Sequence, residues 1–338
     1  MKKGLSVLLV LALVFALAAC ASPDQGGSAP EGYAASGGFE GEIAYVSYFT
    51  SIPYWVDGLR GMEAAASVLG VDFDRTRNFY GPLDGSGIDQ ARVIDELVAK
   101  GVKGIIVSPA DNDAIAAACK RAMDAGIPVV MVISGITDQS AYFAELGGSN
   151  FNVGVTGGEY IARELGGSGK VGILTIPGVP VHQERTAGYL ETLAKYPGIE
   201  VVQPLVDTQA GPDEALARTI ALIQANPDIK ALIGTDSVGG AAAARAVIET
   251  GRVGDIIIIG MDRDQDLLGY IDDGVVTATV ASKSFTTKWM AFHYVYWLIN
   301  DYMEDVSDWR AANVDPVPRV TDTGNMLITQ DNVHLFLE

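Results

Sequence analysis

The chain has 338 residues, with 23 Lys and Arg against 42 Asp and Glu and a formal net charge of −19. That balance excludes a nucleic-acid backbone as partner, because phosphates need a basic face. It also disfavours direct adhesion to anionic lipid headgroups.

The N-terminus reads as an address. Lys2 and Lys3 precede an apolar run, residues 5–19, that is too short for a membrane span of ~20 residues. The run ends in Leu17-Ala18-Ala19-Cys20, the pattern of a bacterial lipobox, in which the Cys is acylated and becomes the mature N-terminus. A plain secretory signal or an uncleaved anchor helix are the alternatives. Residues 1–19 are therefore expected to be a lipoprotein signal peptide, Cys20 the lipidation site, and the product exported and membrane-anchored. Loss of Lys2 and Lys3 leaves 21 cationic against 42 anionic side chains, a net charge of −21. Residues 20–38 are mostly small, polar or turn-forming and bury too little apolar surface to offset their ordering entropy, so they read as a flexible tether. About 300 residues remain, enough for two hydrophobic cores. The other cysteine, Cys119, lies in a helical run and reads as a small buried hydrophobe. With Cys20 acylated no intrachain disulfide forms, so cores must hold the fold.

From Gly41 onward, apolar runs alternate with helical ones. Strands are predicted at 42–48, 103–108, 127–133, 170–176, 230–235 and 255–261, with further strands over roughly 142–147 and in GVVTATVA, residues 274–281. Several are continuously apolar, as in parallel strands covered on both faces. In IDQARVIDELVAKG, Val93, Ile94, Leu97 and Val98 share one helical face, Ser86 and Asp89 form a capping box, and Gly101 is a stop. Repeated strand–helix alternation means βαβ units in open parallel sheets, an α/β fold. The order helix, turn, GIIVS, Asp111 is echoed by helix, turn, ALIGT, Asp236, which suggests two similar lobes facing across a cleft.

Ligands of open α/β sheets bind beyond the carboxyl ends of the strands. The residues there include Tyr54 and Trp55, Ser149 and Asn150, Arg185 one turn into a helix, Asp236, Asp262 and Ser282. Aromatic faces, a guanidinium and carboxylates, without a nucleophile–base arrangement, suit a polyhydroxylated ligand. Each residue has a second reading. Tyr54 and Trp55 are also placed to be core, Arg185 to pair with Glu184, and Asp236 and Asp262 to cap the helices that follow. Asp111 reads as a cap.

Catalytic patterns fail on inspection. Gly166-Gly167-Ser168-Gly169-Lys170 precedes a strand instead of following one and has Val after the Lys, so it is no phosphate loop. Asp262, Asp264 and Asp266 open like a calcium loop, but Leu267 replaces the turn Gly and Asp273 the bidentate Glu. His182, His293 and His334 are scattered, which leaves no zinc-ligand spacing, and no G-x-S-x-G elbow occurs. Neither enzyme activity, nor a cofactor, nor a metal is expected.

Taken in order, these residues resemble the ribose-type (type I) periplasmic binding proteins over roughly residues 41–305. The likeness is carried by Ile52-Pro53-Tyr54-Trp55, the run from Ala122 to Val130, Gln183-Glu184-Arg185, Ile259-Gly260-Met261-Asp262 and the strand ending at Ser282. The resemblance implies two Rossmann-like lobes joined by a three-segment hinge, placed near 164–169, 279–283 and 305–325. The lobes would comprise 39–163 with 282–305, and 164–281 with 306–338. It implies a monomeric lipoprotein that captures a sugar or polyol and passes it to the permease of an ABC importer. The same cleft would serve a sensor that docks on a chemoreceptor or histidine kinase, and Tyr80-Gly81-Pro82 with Ile105-Ile106-Val107-Ser108-Pro109 resembles the autoinducer-2 receptor branch. The chain departs from the family pattern at Ser149 (usually Asp), Asp236-Ser237 (often Asn-Asp), Met261 (an aromatic) and Ser282 (commonly Gln). A small uncharged Ser149 favours a bulkier, deoxy or amino sugar, or a polyol.

Overall fold

The apolar runs assemble into two open sheets in the computed structural model, which describes residues 39–337 except 49, 51–54, 84–85, 111, 210, 303–305, 307 and 313. The first half runs β1 (Ile43–Val46), α1 (Trp55–Leu69), β2 (Phe79–Tyr80), α2 (Gly87–Lys100), β3 (Gly104–Val107), α3 (Asn112–Asp124), β4 (Val129–Val132) and β5 (Ala144–Gly147). The second runs α4 (Asn150–Glu164), β6 (Ser168–Thr175), α5 (Pro180–Leu193), β7 (Gly198–Val201), β8 (Val206–Asp207), α6 (Pro212–Ala225), β9 (Ile229–Gly234), α7 (Ser237–Glu249), β10 (Ile257–Met261), α8 (Gln265–Asp272) and β11 (Ala278–Ser282). The chain then returns through α9 (Ser284–Asn300), α10 (Trp309–Ala312), β12 (Val320–Asp322) and β13 (Asn325–Thr329).

The expected duplication is visible in the strand orders, β12-β5-β4-β3-β1-β2 and β13-β11-β10-β9-β6-β7. All pairings are parallel except β11 with β13. In each sheet the strand order reverses beside the first strand, which opens a crevice at its carboxyl end. The strands β1, β3 and β4 are buried at every position, the consequence of helices on both faces. Ile105, Val107, Val129 and Met131 join Ile94, Leu97 and Cys119 in the first core. Ile258, Leu232 and Leu174 form one layer of the second with Leu267 and Ile271, and Ile173, Ile233 and Ile259 the other with Tyr189. The Cys119 thiol is pushed up to about 12 by burial, which leaves it inert. Local signals hold where they were strong. Ser86 Oγ accepts from the Asp89 amide at 3.2 Å, and Gly101 closes α2 at φ +78°.

The lobe boundaries differ from the expectation. The helix α4, assigned with residues to 163 to the first lobe, packs on α5 and the second sheet. The contact requires glycine, since a Cβ on Gly154 would stand 2.1 Å from the Arg185 carbonyl oxygen. The first crossing therefore lies at Gly148–Ser149, not at 164–169. Likewise β12 pairs with β5, and Trp309 packs edge-on against Phe143 at 5.4 Å. The described residues between 306 and 322 thus belong to the first lobe instead of the second, and the last crossing is Thr323–Gly324. The middle crossing follows Ser282, after which α9 packs on α1 and on β3, β4 and β5. Tyr54, Cys20, the expected signal peptide and the tether lie outside the described residues. Among those described, no helix is long and apolar enough to cross a membrane.

Candidate functional site

The cleft between the lobes is lined by residues of α1, α4, α5, α8 and α9 and by residues at or after the ends of β5, β10 and β11. Arg185 projects from the second turn of α5. Its Nε donates to Asn150 Oδ1 at 3.0 Å and Nη1 donates to the Thr235 carbonyl at 2.9 Å. These bonds hold two of its five N–H donors and aim the guanidinium plane. His182, one turn earlier, also lies 3.2 Å from the Thr235 carbonyl through Nδ1. Burial, and then Arg185, depress its pKa.

Asp262 follows β10 with φ at +69°, a left-handed conformation that Asp tolerates better than most side chains. Its amide donates to Val280 O at 2.9 Å, and its carbonyl accepts from Thr279 Oγ1 at 2.7 Å, so the backbone is pinned and the carboxyl presented. Burial raises that carboxyl to about 6; Arg185 opposes the shift, while Asp264 and Asp236 add to it. Across the cleft, Tyr48 is held up by burial and then by the Asp262 charge. A first-lobe hydroxyl and a second-lobe carboxylate thus sense one another. Asp57 at the start of α1 pairs with Arg263 of the second lobe.

The larger cavity of this cleft, about 470 Å³, is lined by Asp262, Arg263, Asp57, Arg60, Ser282 and Ser284 among others, a size suited to a small polar ligand. A smaller one of about 40 Å³ adjoins it through Ser282 and Ser284 and is lined by Asn150, Arg185 and Lys288. Four of the expected residues, Asn150, Arg185, Asp262 and Ser282, therefore converge.

Three others do not. Trp55 was expected to cover a ligand face, but it is 1% exposed. Its ring packs edge-on to Tyr48 at 5.4 Å and to Tyr45 at 6.2 Å, and the Lys288 ammonium sits 5.6 Å from its centroid. It backs the wall instead of forming it. Asp236 is 4% exposed. One oxygen caps α7 through the Gly239 amide at 2.6 Å, and the other accepts from Thr208 Oγ1 at 2.8 Å. The capping alternative describes it. Ser149 Oγ caps α4 through the Asn152 amide at 3.2 Å, and Ser149 lines a cavity of about 380 Å³ near the first crossing, which shares Ile133, Gly147, Gly148 and Asn150 with the smaller one.

Two residues were missed, Tyr48, whose hydroxyl feels the charge of Asp262, and Lys288, which lines the smaller cavity. Tyr48 was read as strand, yet β1 ends two residues earlier, so the strand-end rule reaches it once the boundary is right. Lys288 had a visible signal. On α9 the buried stripe is Ser284, Thr287, Lys288, Ala291, Phe292 and Val295, and a cation in an otherwise neutral stripe needs a reason.

Comparison with known proteins agrees with this fold. Residues 43–301 match the model described as a periplasmic binding protein domain. The ribose import binding protein of Bacillus subtilis is 28% identical over 287 residues, 84% of this chain and 88% of that protein. The D-allose-binding periplasmic protein of Escherichia coli is 29% identical over 252 residues, 71% of this chain and 78% of its own. Among solved structures, a sugar-binding protein of a sugar ABC transporter from Bacillus halodurans superposes with a TM-score of 0.81. It shares 29% identity over 87% of this chain and 99% of that one.

Proposed function

The chain belongs to the periplasmic binding protein domain family, and from that premise we propose that it captures a sugar or sugar-like polyol between its lobes and delivers it to an ABC importer. The family consists of solute-binding proteins, not enzymes. The reading is carried by one observation: Asp262 and Arg185 of the second lobe line adjoining cavities whose other walls include Asp57, Ser284 and Lys288 of the first, between lobes joined by three short crossings. Carboxylate and guanidinium grip vicinal hydroxyls by charge-assisted hydrogen bonds. A ligand that touches both lobes stabilises the closed form by its differential affinity for it. Relatives named for ribose and allose support the ligand class.

The closed form presents a composite surface of both lobes to permease subunits. Acylated Cys20 holds the protein, as a monomer, at the membrane through the residue 20–38 tether. Thermal shift with D-ribose, D-allose and xylitol tests the capture. A ligand at about one hundred times its Kd adds ~2.7 kcal/mol, and so raises Tm by several degrees. Absence of a shift with any of the three counts against this ligand class. For the anchor, Cys20→Ala should move the protein from the membrane to the soluble fraction. Equal partition of both forms refutes the anchor.

A further inference from the structure

Ile133 and Asp262 occupy the same place in the two lobes. The strands β4 and β10 stand third in their sheets, beside β5 and β11. Ile133 directly follows β4 with φ at +78°, as Asp262 follows β10 at +69°. The Ile133 amide donates to Leu146 O of β5 at 2.8 Å, as the Asp262 amide donates to Val280 O of β11 at 2.9 Å. The left-handed turn is therefore a property of the duplicated fold. Asp takes it with little strain, but a β-branched side chain in that region is an outlier. The backbone has no room to relax, because Ile133 is packed against β5: a Cβ on Gly147 would stand 2.8 Å from the Ile133 carbonyl oxygen. Strain kept at a position that a polar residue fills more easily points to function.

That function lies at the junction of two cavities. Ile133, Gly147, Gly148 and Asn150 line both the cavity of about 40 Å³ and the one of about 380 Å³. The glycines carry no side chain, and Asn150 Oδ1 accepts from Arg185 Nε at 3.0 Å. The half-buried Ile133 thus supplies the apolar surface of the junction, and Val153 and Met261 of the second lobe line the smaller cavity with it. Charged groups flank this patch: Arg185 and Lys288 line the smaller cavity, and Glu145, Glu184 and Asp322 the other. At about 40 Å³ the smaller cavity admits a methyl-sized group and not a ring. A hydroxyl set against Ile133 loses its water and gains no partner there, whereas a methyl group sheds water at a profit.

We propose that Ile133 sets the specificity of the cleft for a deoxy sugar, one that carries a methyl group where its parent hexose carries a hydroxymethyl. The methyl meets Ile133, Val153 and Met261, and the hydroxyls meet Arg185 and Asp262. The first lobe then offers an apolar contact at the position where the second offers a carboxylate. The proposal rests on the sugar-binding reading above and narrows it. Titration calorimetry of the full chain with D-fucose, D-quinovose and L-rhamnose, against D-galactose, D-glucose and L-mannose, tests it. At least one deoxy sugar should bind about tenfold more tightly than its hydroxylated parent, the size expected of a hydroxyl left without a partner. Ile133→Val should keep that preference. In Ile133→Asn it should collapse to about twofold or less, with Tm equal to or above that of the wild type because Asn takes the left-handed region more easily. Parents that bind the wild type as well as the deoxy sugars, or a preference that survives Ile133→Asn, overturn this inference and leave sugar binding standing. Absence of binding by all six also overturns it, and the thermal shift with D-ribose, D-allose and xylitol then decides sugar capture by itself.

Discussion

Asp322 and Ser149, 173 positions apart, are joined where the chain passes between lobes. The Ser149 amide donates to Asp322 Oδ1 at 3.2 Å, and the same oxygen accepts from the Gly324 amide at 2.8 Å. Asn152 Nδ2 donates to the other oxygen at 3.1 Å. One carboxylate therefore ties the first crossing to the third. Burial would raise its pKa, but the hydrogen bonds from Gly324, Ser149 and Asn152, with the charge of Lys283, hold it below the usual range. Its stabilisation is thus present above the ordinary carboxylate pKa and lost as acid protonates it.

Asp322→Ala should free these three donors and loosen the hinge. Amides of residues 149–152 and 323–325 should exchange faster, with a loss of ~1 kcal/mol as for a lost cap. Unchanged exchange in both segments rules out a tie.

The carboxylates Asp236 and Asp262 should behave oppositely. Asp262→Ala and Arg185→Ala remove charged partners from a desolvated cleft, which costs ~2–5 kcal/mol of binding. They should each weaken sugar binding more than about tenfold and abolish ligand-induced compaction in small-angle scattering. Asp236→Ala strips the cap of α7 and the Thr208 bond, so unliganded stability should fall by ~1–2 kcal/mol. A selective loss of affinity in Asp236→Ala, at unchanged stability, reverses the assignment.

Trp55→Ala should destabilise the unliganded protein by ~3–5 kcal/mol in urea unfolding, the cost of a cavity left by a buried aromatic. A variant with wild-type unfolding and lost affinity makes Trp55 a ligand platform after all.

Lys288 sets a pH signature. The unfolded chain keeps its proton up to the ordinary value of 10.5, whereas the folded chain releases it near 7. Between those limits the unfolded state binds more protons, so stability rises with pH at up to ~1.4 kcal/mol per unit. The cost is full below pH 7 and absent above 10.5. Asp262, raised from 3.8 to about 6, acts the other way, and stability falls as pH climbs through that range. Lys288→Met should stabilise the protein at pH 7 by ~1–4 kcal/mol and flatten the alkaline limb. Identical pH–stability curves for the two proteins dismiss the buried ammonium.

Residues fixed by local physics could be read in the sequence. Continuous apolar runs such as GIIV and VVMV mark parallel strands because both faces are covered, and Ser86 with Gly101 delimits α2 because helix ends must satisfy their own amides and carbonyls. The duplicated strand order and the strand-end rule then lead to Asn150, Arg185, Asp262 and Ser282. What the sequence left open was decided by distant contacts. Asp236 and Asp262 follow equivalent strands and look alike, but Thr208 and the Gly239 amide turn one into a cap, while the left-handed backbone at β10 turns the other into the cleft. The helix α4 follows β5, yet its Gly154 face fits only α5, and this moves the lobe boundary. Lys288 is one cation on a helix until Trp55, Gly58 and Arg185, brought together by three crossings of the chain, make it a wall of the cleft. Periodicity is a property of neighbours in the chain. Which of two chemically equivalent side chains meets a ligand depends on partners tens to hundreds of residues away, and only the assembled lobes supply them.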